Sequence, residues 1–205
     1  MPTISYAITA NNEHVELERL LDQLTSSLTE GDEIAILLDT TATEEVHQVI
    51  EMYYPTISKV DSYPLNRDFA QFKNQLFRMC EKDYIVFLDA DELLSDEFVG
   101  YIHQVLESNP KVEYYNVPRW NTVEGITDKH IQKWGWRVDE LNRINWPDYQ
   151  GRIVKNGLIG VLWQGKVHER IQGWRVSANL PDVMYILHPK TIERQEKQNE
   201  LYNKI

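Results

Sequence analysis

The stretch Tyr84-Ile85-Val86-Phe87-Leu88-Asp89-Ala90-Asp91-Glu92 constrains this chain more than any other. Five large apolar residues, two aromatic and two β-branched, run straight into three carboxylates, the pattern of a strand buried on both faces that ends at the surface of a sheet. The acids then stand at the strand's carboxyl end, the rim where open α/β sheets bind ligands. Two aspartates one residue apart offer hard oxygen ligands to a small divalent cation and leave it free to hold phosphate oxygens as well. Asp-x-Asp is short, and acids at strand ends also serve as solvated turn residues. Spacing removes one competitor, because an EF-hand loop starting at Asp89 needs a glycine where Leu94 stands and a glutamate where Gly100 stands. A phosphotransferase with Asp89 as nucleophile stays open, although Glu92-Leu93-Leu94 follows the pair and no small hydroxyl residue stands beside it.

Composition narrows the partners. A chain of 205 residues has the length of one domain, large enough for a substantial core. Lys and Arg number 21 against 32 Asp and Glu, giving a net charge of −11. Such a surface repels nucleic acid and anionic membranes unless a local basic run reverses the field, and none precedes the tail. The single cysteine, Cys80, falls on the apolar side of a helix and is expected to be buried in a reducing compartment. Met1-Pro2-Thr3 starts no basic-then-apolar leader, and no apolar run approaches ~20 residues, so no membrane span is expected. The expectation is a cytoplasmic protein, monomeric or a weak homo-oligomer.

Read in order, residues 4–9 form a strand with a polar exit at Ala10-Asn11-Asn12-Glu13, and Leu17, Leu20, Leu21, Leu24 and Leu28 recur at helical spacing. Residues 34–38 form a second strand that ends in Asp39. Val46, Val49 and Ile50 mark a short helix, and residues 60–63 a weaker strand. Asn66-Arg67-Asp68 leads into a helix carrying Phe69, Phe72 and Leu76, with Asp68 placed to cap it. The alternation of β and α over the first ~90 residues argues for a parallel sheet with crossover helices. Phe98, Ile102, Val105 and Leu106 mark one more helix, and residues 112–119 a strand. All six tryptophans fall within residues 120–174, which read as loops and short strands. Such aromatics suit stacking on sugar rings, and equally suit a core. Residues 191–205 read as a polar helix with Leu201 and Tyr202 as a docking face.

The order of parts resembles the family 2 glycosyltransferases of GT-A fold, in the branch of small lipopolysaccharide-core-type enzymes. The early strand with its polar exit, the strand ending in Asp39, Asn66-Arg67-Asp68-Phe69-Ala70-Gln71-Phe72-Lys73-Asn74 and Phe87-Leu88-Asp89-Ala90-Asp91-Glu92 look like the nucleotide-sugar half. Pro147-Asp148-Tyr149-Gln150-Gly151-Arg152-Ile153 and Gly165-Lys166-Val167-His168-Glu169 look like the acceptor half. The resemblance implies a single α/β domain over 1–205 with a mostly parallel sheet flanked by helices, 1–119 binding the donor and 120–205 the acceptor. Many relatives are longer, so the chain is either a minimal enzyme or one module of something larger.

The resemblance also implies roles. Asp91 is the direct ligand of Mn²⁺ or Mg²⁺ on the donor diphosphate, and Asp89 faces the ribose or reaches the metal, directly or through water. The cation acts as a Lewis acid on the leaving nucleoside diphosphate. Asp39 contacts the base, with Thr9, Ala10 and Asn11 beside it and Ala90 in the same donor site; the alternative for Asp39 is a solvated turn acid. Arg67 and Lys73 are candidates for diphosphate or ribose, Lys73 equally for a surface salt bridge. An inverting transfer needs a base for the acceptor hydroxyl, and Glu169 in its partly apolar setting is the first choice, with Asp148 as fallback. Pairing of Glu169 with Arg170 is its structural alternative, and His168 either orients the acceptor or fills a core. His188, after residues 183–187, is the candidate third metal ligand, and Lys190, Arg194 and Lys197 behind it bring positive charge to the diphosphate. The expected reaction moves a sugar from a UDP- or GDP-sugar to a hydroxyl of a glycan or glycolipid, with residues 120–146 as acceptor wall. The competing readings are a nucleotide-sugar binding module without turnover and the Asp89 phosphotransferase.

Overall fold

The computed structural model describes residues 1–166 and 168–202, and the side chains of all of these except 200–202. In chain order the elements are β1 (Ile4–Ala10), α1 (His14–Ser27), β2 (Glu33–Asp39), α2 (Glu44–Tyr53), β3 (Lys59–Tyr63), α3 (Phe69–Met79), β4 (Tyr84–Asp89), β5 (Leu93–Leu94), α4 (Asp96–Ser108), β6 (Tyr114–Glu124), α5 (Asp128–Trp134), β7 (Ile144–Lys155), β8 (Leu162–Gln164), β9 (Arg170–Gln172), β10 (Ser177–Asn179), β11 (Ile186–Thr191) and α6 (Ile192–Tyr202). The main sheet runs β3-β2-β1-β4-β7-β6-β11-β5, with β10 beside β6. Its first four strands are parallel, and β7 lies antiparallel between β4 and β6. The fold is thus α/β with a mostly parallel sheet, as the sequence predicts.

Both faces of β4 are covered, which is why its sequence is apolar without alternation. Tyr84, Val86 and Leu88 pack with α1, α2 and α4 in one core, while Ile85 and Phe87 join α3 and the β8–β9 hairpin in the other. The strand becomes polar only at Asp89, where the covering layers stop. Cys80 is buried as expected. Asp68 caps α3 by accepting from the Gln71 amide at 2.9 Å, and Ser95 caps α4 through the Phe98 amide at 3.1 Å.

Residues 120–174 are more regular than loops and short strands. β6 and β7 are 11 and 12 residues long and pair with register shifts near Tyr115 and Arg119. Their periodicity is hidden because one stretch of β7, Asp148 to Arg152, faces a polar cavity rather than a core or bulk solvent. Gly151 makes room for Tyr114 in that stretch, because a Cβ there would lie 1.3 Å from the Tyr114 hydroxyl and the ring would have to move. The β8–β9 hairpin is fastened to α3, with Asn74 donating to the Trp163 carbonyl and accepting from its amide, both at 2.9 Å. Phe69 adds a backbone bond to the Lys166 carbonyl at 3.1 Å. α6 begins where the sequence places its polar helix; the side chains of the expected docking face, Leu201 and Tyr202, lie outside what is described, as does Val167 in the Gly165–Glu169 motif.

Candidate active site

β4 ends beside β1, and their register sets Thr9 opposite Asp89. The Thr9 hydroxyl donates to Asp89 Oδ1 at 3.2 Å, Lys73 Nζ stands 3.5 Å from the same oxygen, and Arg152 donates to Oδ2 at 2.9 Å. Burial alone would raise the Asp89 pKa, but the charges of Lys73 and Arg152 outweigh it and hold this carboxyl well below the usual range. Both of its oxygens are engaged by cations, an arrangement that quenches nucleophilicity and speaks against the phosphotransferase. Glu92, fully buried, accepts from the Asp89 amide at 2.9 Å, pairs with Arg152 and lies 3.7 Å from Arg119. It therefore anchors Arg152 beneath the cavity floor.

Lys73 is not a surface residue. It is 8 % exposed, sits 4.8 Å over the Trp163 ring and reaches Glu169 Oε1 at 2.8 Å. Burial works against its charge, yet Asp89 and Glu169 together raise its pKa, so it stays an ammonium bridging β4 and the hairpin. Glu169 is consequently paired with Lys73 rather than with Arg170. His168 adopts φ 55° and is exposed at the cavity wall, which rules out a core histidine.

On the other side of the acids, Asp91 Oδ2 lies 3.4 Å from His188 Nε2 and 3.6 Å from Arg194. Burial would raise the Asp91 pKa, but the His188 contact and the Lys190 charge together outweigh it and the net shift is downward. His188 is 7 % exposed, and its Nδ1 is 2.8 Å from Asn121 Oδ1. Asn121 donates to Asp148 Oδ2 at 2.8 Å, where Arg119 also donates at 2.9 Å, and Gln150 donates to Oδ1 at 2.7 Å. Among the described residues no three His, Cys, Asp or Glu side chains converge as a metal cage. The predicted trio is incomplete because Asp89 is turned to Lys73 and Arg152. Asp91 and His188 do fit a divalent cation as a pair, since hard oxygen beside imidazole nitrogen suits Mn²⁺ or Mg²⁺ whose other ligands come from phosphate and water.

These groups share one cavity of about 1250 Å³, larger than the ~300–1,000 Å³ of pockets for a single small ligand, so two substrates have room. Thr9, Ala10, Asn11, Asp39, Lys73, Asp89, Ala90, Asp91, Asp148, Glu169 and His188 all line it.

The model of the family described as Glycosyl transferase family 2 matches residues 5–162. This chain belongs to glycosyl transferase family 2. Among curated family relatives, the SPbeta prophage-derived glycosyltransferase SunS of Bacillus subtilis is 27% identical over 168 residues, covering 82% of this chain and 34% of that protein. An uncharacterized glycosyltransferase of Haemophilus influenzae is 28% identical over 115 residues, 56% of this chain and 38% of that one. The chain thus spans about a third of the length of the curated relatives it matches. Its fold matches S. aureus TarS 1-349 in complex with UDP-GlcNAc at TM-score 0.65 and 14% identity, over 93% of this chain and 59% of that one. The mannosyltransferase PcManGT of Pyrobaculum calidifontis, in complex with GDP-Man and Mn²⁺, matches at TM-score 0.50 and 16% identity, over 59% of this chain and 41% of that one.

Within this family 2 domain some predicted residues carry different burdens from those expected. Arg67 is exposed and lies outside the cavity, because Asn66 and Arg67 both take left-handed backbone at φ 48° and 57° before α3. Asp39 is no solvated turn acid: it is 9 % exposed and accepts from the Thr41 amide at 2.9 Å and the Leu65 amide at 3.2 Å. Asp148 is a poor fallback base, since Arg119, Asn121 and Gln150 all draw on its lone pairs; against the effect of burial, they lower its pKa. Trp120 and Trp146 pack with Tyr185 and Arg143 rather than facing the cavity, whereas Trp136, Trp163 and Trp174 line it. Sequence reasoning missed Arg152, Glu92, Arg119 and Asn121. The signal for Arg152 was a lone arginine between Gly151 and the apolar pair Ile153-Val154 in a strand.

Proposed function

We propose that this domain transfers a sugar, with inversion, from a UDP- or GDP-sugar to a hydroxyl of a glycan or glycolipid, aided by Mn²⁺ or Mg²⁺. The observation that carries the reading is the meeting, in one two-substrate cavity, of the Asp89/Asp91 rim with Glu169, joined through Lys73. Relatives named glycosyltransferases, and fold neighbours holding UDP-GlcNAc or GDP-Man with Mn²⁺, support the donor class. The same reading takes 1–205 as one catalytic domain.

In this reading the base lies against Asp39 and the first-strand exit at Thr9, Ala10 and Asn11, and the diphosphate lies at the acid rim. Asp91 and His188 would hold the cation, which supplies positive charge to the leaving diphosphate. Glu169 Oε1 stays with Lys73 while the other carboxylate oxygen takes the acceptor proton. The acceptor oxygen bonds to the anomeric carbon as the bond from that carbon to the diphosphate oxygen breaks, and the electron pair leaves with the nucleoside diphosphate. When Glu169 is neutralised by that proton, the Lys73 charge is left to Asp89 and the diphosphate side. Asp148 serves as a holder of Asn121 rather than as the base. The same reading takes the enzyme as cytoplasmic. Among the described residues no helix is long and apolar enough to cross a membrane.

A thermal-shift screen of UDP and GDP with and without Mn²⁺ tests the reading. A ligand at ~100 times its dissociation constant stabilises by ~2.7 kcal/mol, and wild-type protein should then hydrolyse or transfer the sugar of the matching donor. Equal melting points with every nucleotide and metal would overturn the reading, and binding without any turnover would make the chain a binding module.

A further inference from the structure

We infer that Asn121, oriented by Asp148, fixes the tautomer of His188 so that the Nε2 lone pair faces Asp91, making Asn121 a positioning residue for the divalent cation. This rests on the reading above that a cation acts at this rim.

A carboxylate without a proton only accepts, so the face of the Asn121 amide turned to Asp148 must be its nitrogen, 2.8 Å away. The amide oxygen then points the other way, 2.8 Å from His188 Nδ1. An amide oxygen only accepts as well, so Nδ1 must carry the hydrogen. In the neutral ring the lone pair therefore sits on Nε2, which stands 3.4 Å from Asp91 Oδ2. In the metal-free ring a hydrogen on Nε2 can bridge to Asp91 Oδ2; a divalent cation takes that hydrogen's place between the same two atoms. Arg194 does not fill that place: it is 3.6 Å from that oxygen and lies closer to Glu13 and Glu16, at 3.0 and 2.7 Å.

Asn121 cannot turn over without cost, because Asp148 is itself held by Arg119 and Gln150. The chain from Arg119 through Asp148 and Asn121 to His188 runs across β6, β7 and β11, with Asn121 and His188 opposite each other in register. Rigid strands, not a loop, thus decide which imidazole nitrogen is offered. Outer partners that orient a metal-binding histidine in this way typically change metal affinity by about 10- to 100-fold when removed.

The test measures Mn²⁺ binding in the presence of UDP, reading free Mn²⁺ by electron paramagnetic resonance, in the wild type and in Asn121→Leu, which removes both hydrogen bonds at similar volume. The expected result is ~10- to 100-fold weaker Mn²⁺ binding in the variant, with metal-free UDP affinity unchanged. In parallel, imidazole ¹⁵N spectra of the metal-free wild type should show a hydrogen on His188 Nδ1. A neutral Nε2–H ring, or an Asn121→Leu affinity equal to wild type, overturns the inference alone. Absence of any Mn²⁺ or Mg²⁺ binding in the wild type overturns the cation reading and this inference with it. If Asn121→Leu fails to fold, the wild-type nitrogen spectrum decides.

Discussion

The two walls of the cavity are built by opposite means. The donor wall, at the ends of β1, β2 and β4, places the backbones of Thr9, Asp39 and Asp89 by strand register, and each follows directly from an apolar run. The opposite wall, from β7, the β8–β9 hairpin and β11, takes His188 from the β6–β11 register but holds Arg152 and Glu169 through ion pairs between residues far apart in sequence. Arg152 reaches Asp89 and Glu92 across 63 and 60 positions. The first wall is a consequence of secondary structure; the second is held by charge. That difference predicts where substitutions should damage chemistry and where they should damage folding.

Glu169→Gln gives the largest expected effect on rate. Removing the base should lower kcat by about 10²–10⁴, while UDP affinity stays near wild type and the melting temperature falls less than in Arg152→Met, because Lys73 keeps Asp89 as a partner. A kcat within tenfold of wild type would dismiss Glu169 as the proton acceptor. Arg152→Met tests the reverse pattern. It strips the cation from two buried acids, and breaking a buried pair on one side typically costs about 3–5 kcal/mol, measurable as a lower urea midpoint. If Arg152→Met retains its midpoint, charge does not hold the second wall. Lys73→Met should fall between the two, losing both rate and stability.

The same charges fix how stability responds to pH. The Asp89 pKa is depressed in the folded protein, so its contribution is complete above its unfolded value near ~3.9 and is lost as pH falls through the lower folded value. The Lys73 pKa is raised, so its contribution is complete below its unfolded value near ~10.4 and is lost as pH rises through the higher folded value. The expected curve of urea midpoint against pH is therefore flat between, with an acid decline starting below about 4. In Lys73→Met the alkaline decline should shrink, because that ammonium is gone.

Legibility in the sequence followed the same division. Residues 84–92 announced their strand because two packed layers demand continuous apolar side chains, and Asp68 announced a helix start because capping is local. Nothing local announces that Asn121 faces Asp148, or that Lys73 lies over Trp163 instead of in water. Lys73 reads equally as a diphosphate or ribose contact and as a surface salt bridge; the docking of Asn74 onto the Trp163 backbone brings its helix against the hairpin. Arg67 failed the other way, since proximity in sequence to the helix start did not tell of the two left-handed residues that turn it outward. Gly151 carries a packing demand rather than a turn. Gly151→Ala should cost about 1–3 kcal/mol by overpacking against Tyr114, and it should weaken turnover as Arg152 is displaced.

The smallest expected effect is the one that separates the walls most cleanly. Asp68 caps α3 through the Gln71 amide, and its loss in Asp68→Ala should cost about 1 kcal/mol of stability. Lys73 lies one turn further along the same helix, but it is held from above by Glu169 and from below by Trp163, and Asn74 fastens the helix to the hairpin. Fraying of the first turn should therefore leave kcat within about twofold of wild type while the melting temperature falls by ~2–4 °C for a chain of this size. A large drop in kcat would mean that the ammonium is positioned by the helix start rather than by its ion pairs, and the distinction between a wall set by local structure and a wall set by charge would fail at the residue that joins them.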